Sequence, residues 1–294
     1  MQRICIVGPG RVAGALALAL SGKGKQVSAI IERRTGTGAA LAQHLPNSPF
    51  ISNLDDVPAI DCDAILFTTG DGEIRSAAEK LSRVLDGVPV ALHTSGSLSS
   101  DVLSSLSRGG TAVGSMHPLI SISDPVSGSK KFEGAYFCIE GEDKAVEFAE
   151  EMVKILGGTA FSIPTEFKPL YHAAAVTAAG HLVALLSLSY EMLAKCGIDE
   201  QTASRLLVPL SASVLDNLRD RSPAAALTGS FARLDVEAFE RHLSLLAENV
   251  SPKALEIYLL LGDRSLDLAG EAGGDPDLIS EFRSRIKMAK THIG

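Results

Sequence analysis

Gly8, Gly10 and Ala13 stand in the spacing G-x-G-x-x-A, after the apolar run Ile4 to Val7 and before a small-residue helical segment, Ala15 to Leu20. That pattern suits the cradling of a dinucleotide pyrophosphate. Gly8 permits the tight strand-to-helix turn, Gly10 lets the backbone approach the phosphates, and Ala13 is small enough for the helix to pack on the strand. The helix opens at Arg11 and Val12, where unpaired N–H groups and the positive dipole end point at the ligand. The string alone is common; its place between a buried-type strand and a helix gives it weight.

Glu32-Arg33-Arg34 closes the next apolar run, 22 residues from Gly10 to Glu32. An acidic group there accepts hydrogen bonds from the ribose 2′-OH of NAD. Paired arginines instead match a 2′-phosphate, because guanidinium forks fit phosphate oxygens. Glu32 favours NAD and the arginines favour NADP, while a solvated charged turn is the plain alternative. The reading leans to NADP(H), with NAD as the other choice.

Polar residues end further apolar runs. Thr68 and Thr69 close one, and His93-Thr94-Ser95-Gly96 another. Their hydroxyls could bind ribose or substrate; for Thr69 and Thr94, simple strand-end capping is an equal reading. His93 and Ser95 have little packing reason to be where they are. His117, in Ser115-Met116-His117-Pro118, either makes a turn or contacts substrate or nicotinamide. Lys168 and His172 are spaced i, i+4 and share a helix face. His181 falls on the opposite face and reads as a core or interface histidine. Histidines, cysteines and carboxylates make no metal-spaced cluster.

These residues need elements to position them. Strand-like runs at Ile4–Val7, Val27–Ile31, Phe50–Ile51, Ala64–Thr69, Val88–Leu92 and Thr111–Gly114 alternate with helical segments, the pattern of a doubly wound parallel sheet. Ligands of such sheets bind beyond the carboxyl ends of the strands, so the polar segments above should line one crevice. Ala135–Ile139 and Phe161–Ile163 add strands around a helix at 143–156. After Pro164 nearly everything reads as helix: one from Thr165 to about Lys195, one capped by Asp199 that meets Pro209, one from Asp235, and two opened by Ser251-Pro252 and Asp275-Pro276. The expected division is a dinucleotide-binding domain, 1–164, and a helical substrate and dimerisation domain, 165–294.

The 294 residues are 46% hydrophobic and 21% charged, a composition for soluble domains with sizeable cores. A net charge of −8 argues against nucleic acid and anionic membrane as partners. Cys5, Cys62, Cys138 and Cys196 form no C-x-x-C pair and read as reduced thiols of a cytoplasmic protein. The stretch Pro169–Tyr190 lacks charge and is long enough to cross a bilayer. Its alanines, serines, glycine and two histidines favour a buried core helix instead. Because its apolar residues lie on nearly all sides, it also suggests a homodimer.

Five ordered segments carry a resemblance: HTSGS, VGSMHPL, FEGAYFCIEG, KPLYHAAAV and LTGSFARLDVEAFERHL. Together they resemble a family of provisionally assigned NADP oxidoreductases with an N-terminal Rossmann-like domain and a C-terminal helical domain of uncharacterised function. That group is similar to β-hydroxyacid dehydrogenases, pyrroline-5-carboxylate reductase and prephenate dehydrogenase. The resemblance implies a Rossmann domain, an all-α domain of the 6-phosphogluconate dehydrogenase C-terminal type, and a dimer through it. It also implies that Lys168 matches a dehydrogenase lysine that handles the proton during hydride transfer, with His172 replacing an asparagine. Ser95 and His117 are then expected to face this pair. The chain departs from the family at Gly180, Ser230 and Leu234. The expected activity is NAD(P)-dependent oxidoreduction of a small polar substrate. The alternatives are a non-catalytic dinucleotide sensor or partner-binding dimer, and hydride exchange with a flavin-like carrier.

Overall fold

The computed structural model describes residues 2–85 and 87–291. Eight strands form one sheet in the order β3-β2-β1-β4-β5-β6-β7-β8. They are β1 (Arg3–Val7), β2 (Gln26–Glu32), β3 (Phe50–Asn53), β4 (Ala64–Phe67), β5 (Val90–His93), β6 (Ala112–Pro118), β7 (Tyr136–Gly141) and β8 (Thr159–Phe161). Strands β1 to β6 pair in parallel, as their doubly buried apolar runs predict. The crossover elements are α1 (Arg11–Gly22), α2 (Thr37–Ala42), α3 (Asp71–Leu81), α4 (Ser104–Ser107), α5 (Pro125–Gly128) and α6 (Asp143–Leu156). One face buries Leu16, Leu20 and Met152 against β1 and β6, and the other buries Ile74, Ala78 and Leu81 against β4 and β5.

Two expectations shift here. The sixth strand does not stop at Gly114 but runs through Pro118, because β7 returns antiparallel and pairs with it from Gly114↔Gly141 to Pro118↔Phe137. His117 therefore sits within a strand, opposite Cys138, rather than in a turn. The last strand lies at Thr159–Phe161 instead of Phe161–Ile163, since α6 ends at Gly157, left-handed at φ 78°, and the chain pairs with β7 at once.

The helical region holds α7 (Lys168–Lys195), α8 (Glu200–Asp220), α9 (Pro223–Ala226), α10 (Gly229–Ala232), α11 (Val236–Asn249), α12 (Pro252–Glu271) and α13 (Pro276–Thr291). Asp199, Asp235 and Ser251 each accept a backbone N–H three residues on, the expected N-caps. Pro209 is carried inside α8 without ending it. The chain groups into two compact units, 1–179 and 180–294, so α7 begins in one and ends in the other. The core of the second unit is Phe239, Leu259, Leu266 and Phe282.

Helix α7 is not the buried core helix its composition suggests. Leu170 and Val183 are each 69% exposed, and His181 is exposed too. The stretch Thr165–Lys195 is long and apolar enough to cross a membrane by length and composition. The side chain of Lys168, near its start, is fully buried.

Candidate functional site

In the first unit a cavity of about 750 Å³ opens beyond the carboxyl ends of β1, β2 and β4. Gly8 turns at φ +90°, and a Cβ on it would lie 2.4 Å from Thr69 Cγ2, so glycine is required there. A Cβ on Gly10 would meet nothing within 4 Å, leaving the backbone open to a ligand. No side chain caps the N-terminus of α1 at Gly10, so its first N–H groups are not taken up by a capping side chain, as an anion site requires. Arg11 is exposed, Val12 half-buried, and Ala13 fully buried in the sheet core. Thr68 lines the cavity, and its hydroxyl donates to the carbonyls of Val7 (3.0 Å) and Gly8 (2.8 Å) and fastens the turn. The Thr69 hydroxyl is buried without a partner, an orphan in the cavity wall. Bare helix N–H groups, an unobstructed Gly10 and this orphan hydroxyl fit a dinucleotide pyrophosphate.

Glu32 does something other than await a ribose. Its carboxylate accepts from the Gly36 N–H (2.9 Å), the Thr37 hydroxyl (3.1 Å) and the Gly38 N–H (2.5 Å). Burial alone would raise its pKa, but these hydrogen bonds outweigh it and hold the carboxyl below the usual range. The loop it ties down carries Arg33 and Arg34, both exposed on the cavity rim. Arg33 pairs with Glu73 of α3 across that rim.

The other end of the crevice lies on β5, β6 and β7. Register sets His93, Ser115 and Glu140 in one row across the three strands. The buried Lys168 ammonium contacts the Ser115 hydroxyl (2.5 Å) and Glu140 Oε1 (3.1 Å). Glu140 also accepts from the N–H and hydroxyl of Ser100, each at 2.9 Å. Burial would raise the Glu140 pKa; the Lys168 charge and the Ser100 and Lys168 hydrogen bonds bring it below the ordinary value. Lys168 is thus sealed in an ion pair and does not face open crevice. His93 is fully buried, and burial, helped by the Lys168 charge, lowers its pKa to about 4. Its Nδ1 accepts the Ser95 N–H at 3.2 Å, which leaves the proton on a buried Nε2 without a partner.

One pleat further along, His117 Nδ1 lies 2.8 Å from the Tyr171 hydroxyl. The His117 ring stands edge-on to His172, with centroids 5.8 Å apart. A Cβ on Gly96 would come within 2.7 Å of His172 and 2.8 Å of His117 Nε2, so this glycine admits both rings. Burial, then the charges of His172 and Lys168, lowers the His117 pKa to about 4. Burial raises that of Tyr171. The Ser95 hydroxyl accepts from the N–H groups of Ser97 (3.2 Å) and Leu98 (3.1 Å), holding the turn that presents Gly96.

The structure thus separates Lys168 from its helix neighbour. Lys168 turns toward Glu140 and Ser115, while His172 joins His117, Tyr171 and Gly96. Sequence reasoning passed over Ser115, Glu140, Tyr171 and Gly96. Ser115 and Gly96 stood in the segments around His117 and Ser95 without a role of their own, and Glu140 left a trace as a carboxylate closing the apolar strand Phe137-Cys138-Ile139.

Residues 2–118 match the model of a Rossmann-like domain, and residues 135–265 match DUF2520, a domain of unknown function. A solved structure from Bacteroides fragilis, provisionally assigned as an NADP oxidoreductase, is similar with a TM-score of 0.76 and 21% identity, over 90% of this chain and 97% of that one. A Thermotoga maritima protein is similar with a TM-score of 0.74 and 22% identity, over 91% and 99% of the two chains. A pyrroline-5-carboxylate reductase from Coxiella burnetii gives 0.56 and 12%, over 91% and 98%. At these identities the likeness is one of fold. No curated protein matches the sequence.

Proposed function

We propose that this chain, a Rossmann-like domain joined to a DUF2520 domain, is an NADP-dependent oxidoreductase of a small polar substrate. The observation that carries the reading is the cavity beyond β1 and β2: Gly10 stands open, and Glu32 is turned into its own loop while Arg33 and Arg34 remain on the rim. A buried carboxylate already accepting three hydrogen bonds from its own loop has little left to offer a ribose 2′-OH, whereas two rim guanidiniums suit a 2′-phosphate. Neighbours of the fold agree: a Plasmodium falciparum pyrroline carboxylate reductase of TM-score 0.58 and 10% identity holds NADP.

When bound, the nicotinamide supplies or accepts hydride; the chain must handle the proton. His117 is neutral at pH 7, and with Tyr171 donating to Nδ1 it offers an Nε2–H beside Gly96. That N–H can donate a hydrogen bond to a substrate oxygen and polarise it; the imidazole stays neutral, and the proton taken up by the oxygen comes from solvent by way of His172. The proton-handling pair is then His117 and His172, with Lys168 and Glu140 holding the first turn of α7 against the sheet.

One observation favours the sensor reading instead. The lysine that the dehydrogenase resemblance assigns to chemistry is wholly buried in an ion pair. The exposed apolar length of α7 supports a homodimer through that helix.

Loss of NADPH absorbance with a panel of 2-oxoacids, aldehydes and cyclic imines tests the enzyme reading. Turnover that falls in His117→Gln and His172→Ala, with NADPH binding intact, is expected. Absence of turnover across the panel supports the sensor.

A further inference from the structure

A second cavity, open to solvent, lies wholly within the helical unit, lined by residues between 192 and 258, with a volume of about 690 Å³. That volume falls in the range of small-molecule sites. Its wall is a packed aromatic cluster: the Tyr258 ring stacks on the fully buried Phe239 at 11°, and Phe231 tilts against Phe282 with centroids 5.4 Å apart. Phe231 is wedged over Gly262, where a Cβ would approach its ring to 2.8 Å. Leu245, 64% exposed, extends the apolar lining outward.

The polar groups of this cavity are unusual for the chain. Aspartate and glutamate outnumber lysine and arginine by 35 to 27, yet neither acid lines it. Lys195 and His242 do. His242 Nδ1 is engaged by the Tyr258 hydroxyl at 2.8 Å. Burial pushes the Tyr258 pKa up to about 12, so the phenol keeps its proton; in the tautomer where it donates to Nδ1, Nε2–H is left as a donor. Thr228 precedes α10 without using its side chain to cap it, which leaves the hydroxyl for a ligand. An apolar floor, an ammonium, an imidazole N–H and a hydroxyl, with no acid among them, form a receptor for one negative charge on an apolar body.

We infer that this cavity binds a small carboxylate with an apolar tail or ring, at a site separate from the dinucleotide cavity. The inference does not depend on the oxidoreductase reading. Charge complementarity selects the occupant: Lys195 and His242, both exposed to solvent, bring donors to the lining and no acid stands among them, which favours an anionic head group over a neutral or cationic one.

Octanoate, octan-1-ol and octylamine share an apolar body and differ in the head group. Titrated calorimetrically into the full chain, octanoate should bind about tenfold more tightly than octan-1-ol, the equivalent of one charge-assisted hydrogen bond, and octylamine should not bind. Lys195→Glu, at an exposed position, should reverse the order in favour of octylamine and leave NADPH affinity unchanged. Equal binding of octanoate and octan-1-ol, no octanoate binding, or octanoate binding untouched by Lys195→Glu would overturn the inference. Conversion of a dimer to a monomer by Lys195→Glu would also overturn it, because the cavity would then seat a second copy.

Discussion

The Nδ1 atom of His117 lies 2.8 Å from the hydroxyl of Tyr171, while the opposite edge of the ring faces Gly96. A phenol whose pKa is raised by burial keeps its proton, and as the donor to Nδ1 it would hold the imidazole as the Nε2–H tautomer. Tyr171→Phe removes that donor. Nitrogen-15 spectra at pH 7 should show the wild-type His117 as a single Nε2–H form and the variant as a tautomer mixture, with stability lower by about 1 kcal/mol. Identical ring shifts in both proteins would mean that the pair has no hold on the tautomer.

Two histidines give stability a defined acid dependence. His93 and His117 titrate near 4 in the folded chain, against 6.5 for the free side chain. The unfolded chain therefore binds more protons than the folded one between those values, and stability must fall as pH drops from about 6.5 toward 4. For the fully buried His93 the loss approaches about 3 kcal/mol, and for the part-exposed His117 it is smaller. Urea midpoints measured from pH 7.5 to 4.5 should decline, and His93→Gln should flatten the decline. A pH-independent midpoint contradicts the neutral buried state of both rings.

Lys168 and Glu140 form a buried pair, and breaking one side leaves the other charge unanswered. Lys168→Met should cost about 3–5 kcal/mol, whereas the double variant Lys168→Met/Glu140→Leu should recover most of it. Additive losses in a denaturant double-mutant cycle would show that the two residues act independently.

The parallel half of the sheet was readable in the sequence because its strands are short apolar runs punctuated by glycine, and the caps at Asp199, Asp235 and Ser251 were readable because capping is local. The site was half legible. Gly8, Gly10 and Arg33 announce themselves by spacing, but Ser115, Glu140 and Lys168 meet only through the β6–β7 register, which an antiparallel return decides and no local pattern encodes. Pro118 disguised the length of β6, since proline ordinarily reads as a strand end. For α7, composition reported an apolar surface without reporting what covers it.

Cofactor choice should rest on the loop that Glu32 anchors. Arg33 is exposed and Glu73 only half-buried, so their pairing contributes little and a 2′-phosphate can replace Glu73. Arg33→Ser/Arg34→Ser should weaken NADPH binding by about 2–3 kcal/mol and leave NADH nearly unchanged. Glu32→Gln, which loosens the loop without touching the arginines, should narrow the preference for NADPH. Unchanged NADPH binding in the arginine variant would place those side chains in solvent only, and equal loss of both cofactors would place them against the part the two cofactors share.

The central claim is that the cavity beside Gly10 holds NADP(H). Calorimetric titration of the wild-type chain and of Gly10→Val with NADPH and NADH tests it directly, because a valine there projects into space that the chain itself leaves empty. Wild-type binding should be tighter for NADPH than for NADH, and both should be lost in Gly10→Val with the fold retained. NADPH binding that is absent in the wild type, or unaltered by Gly10→Val, would contradict it.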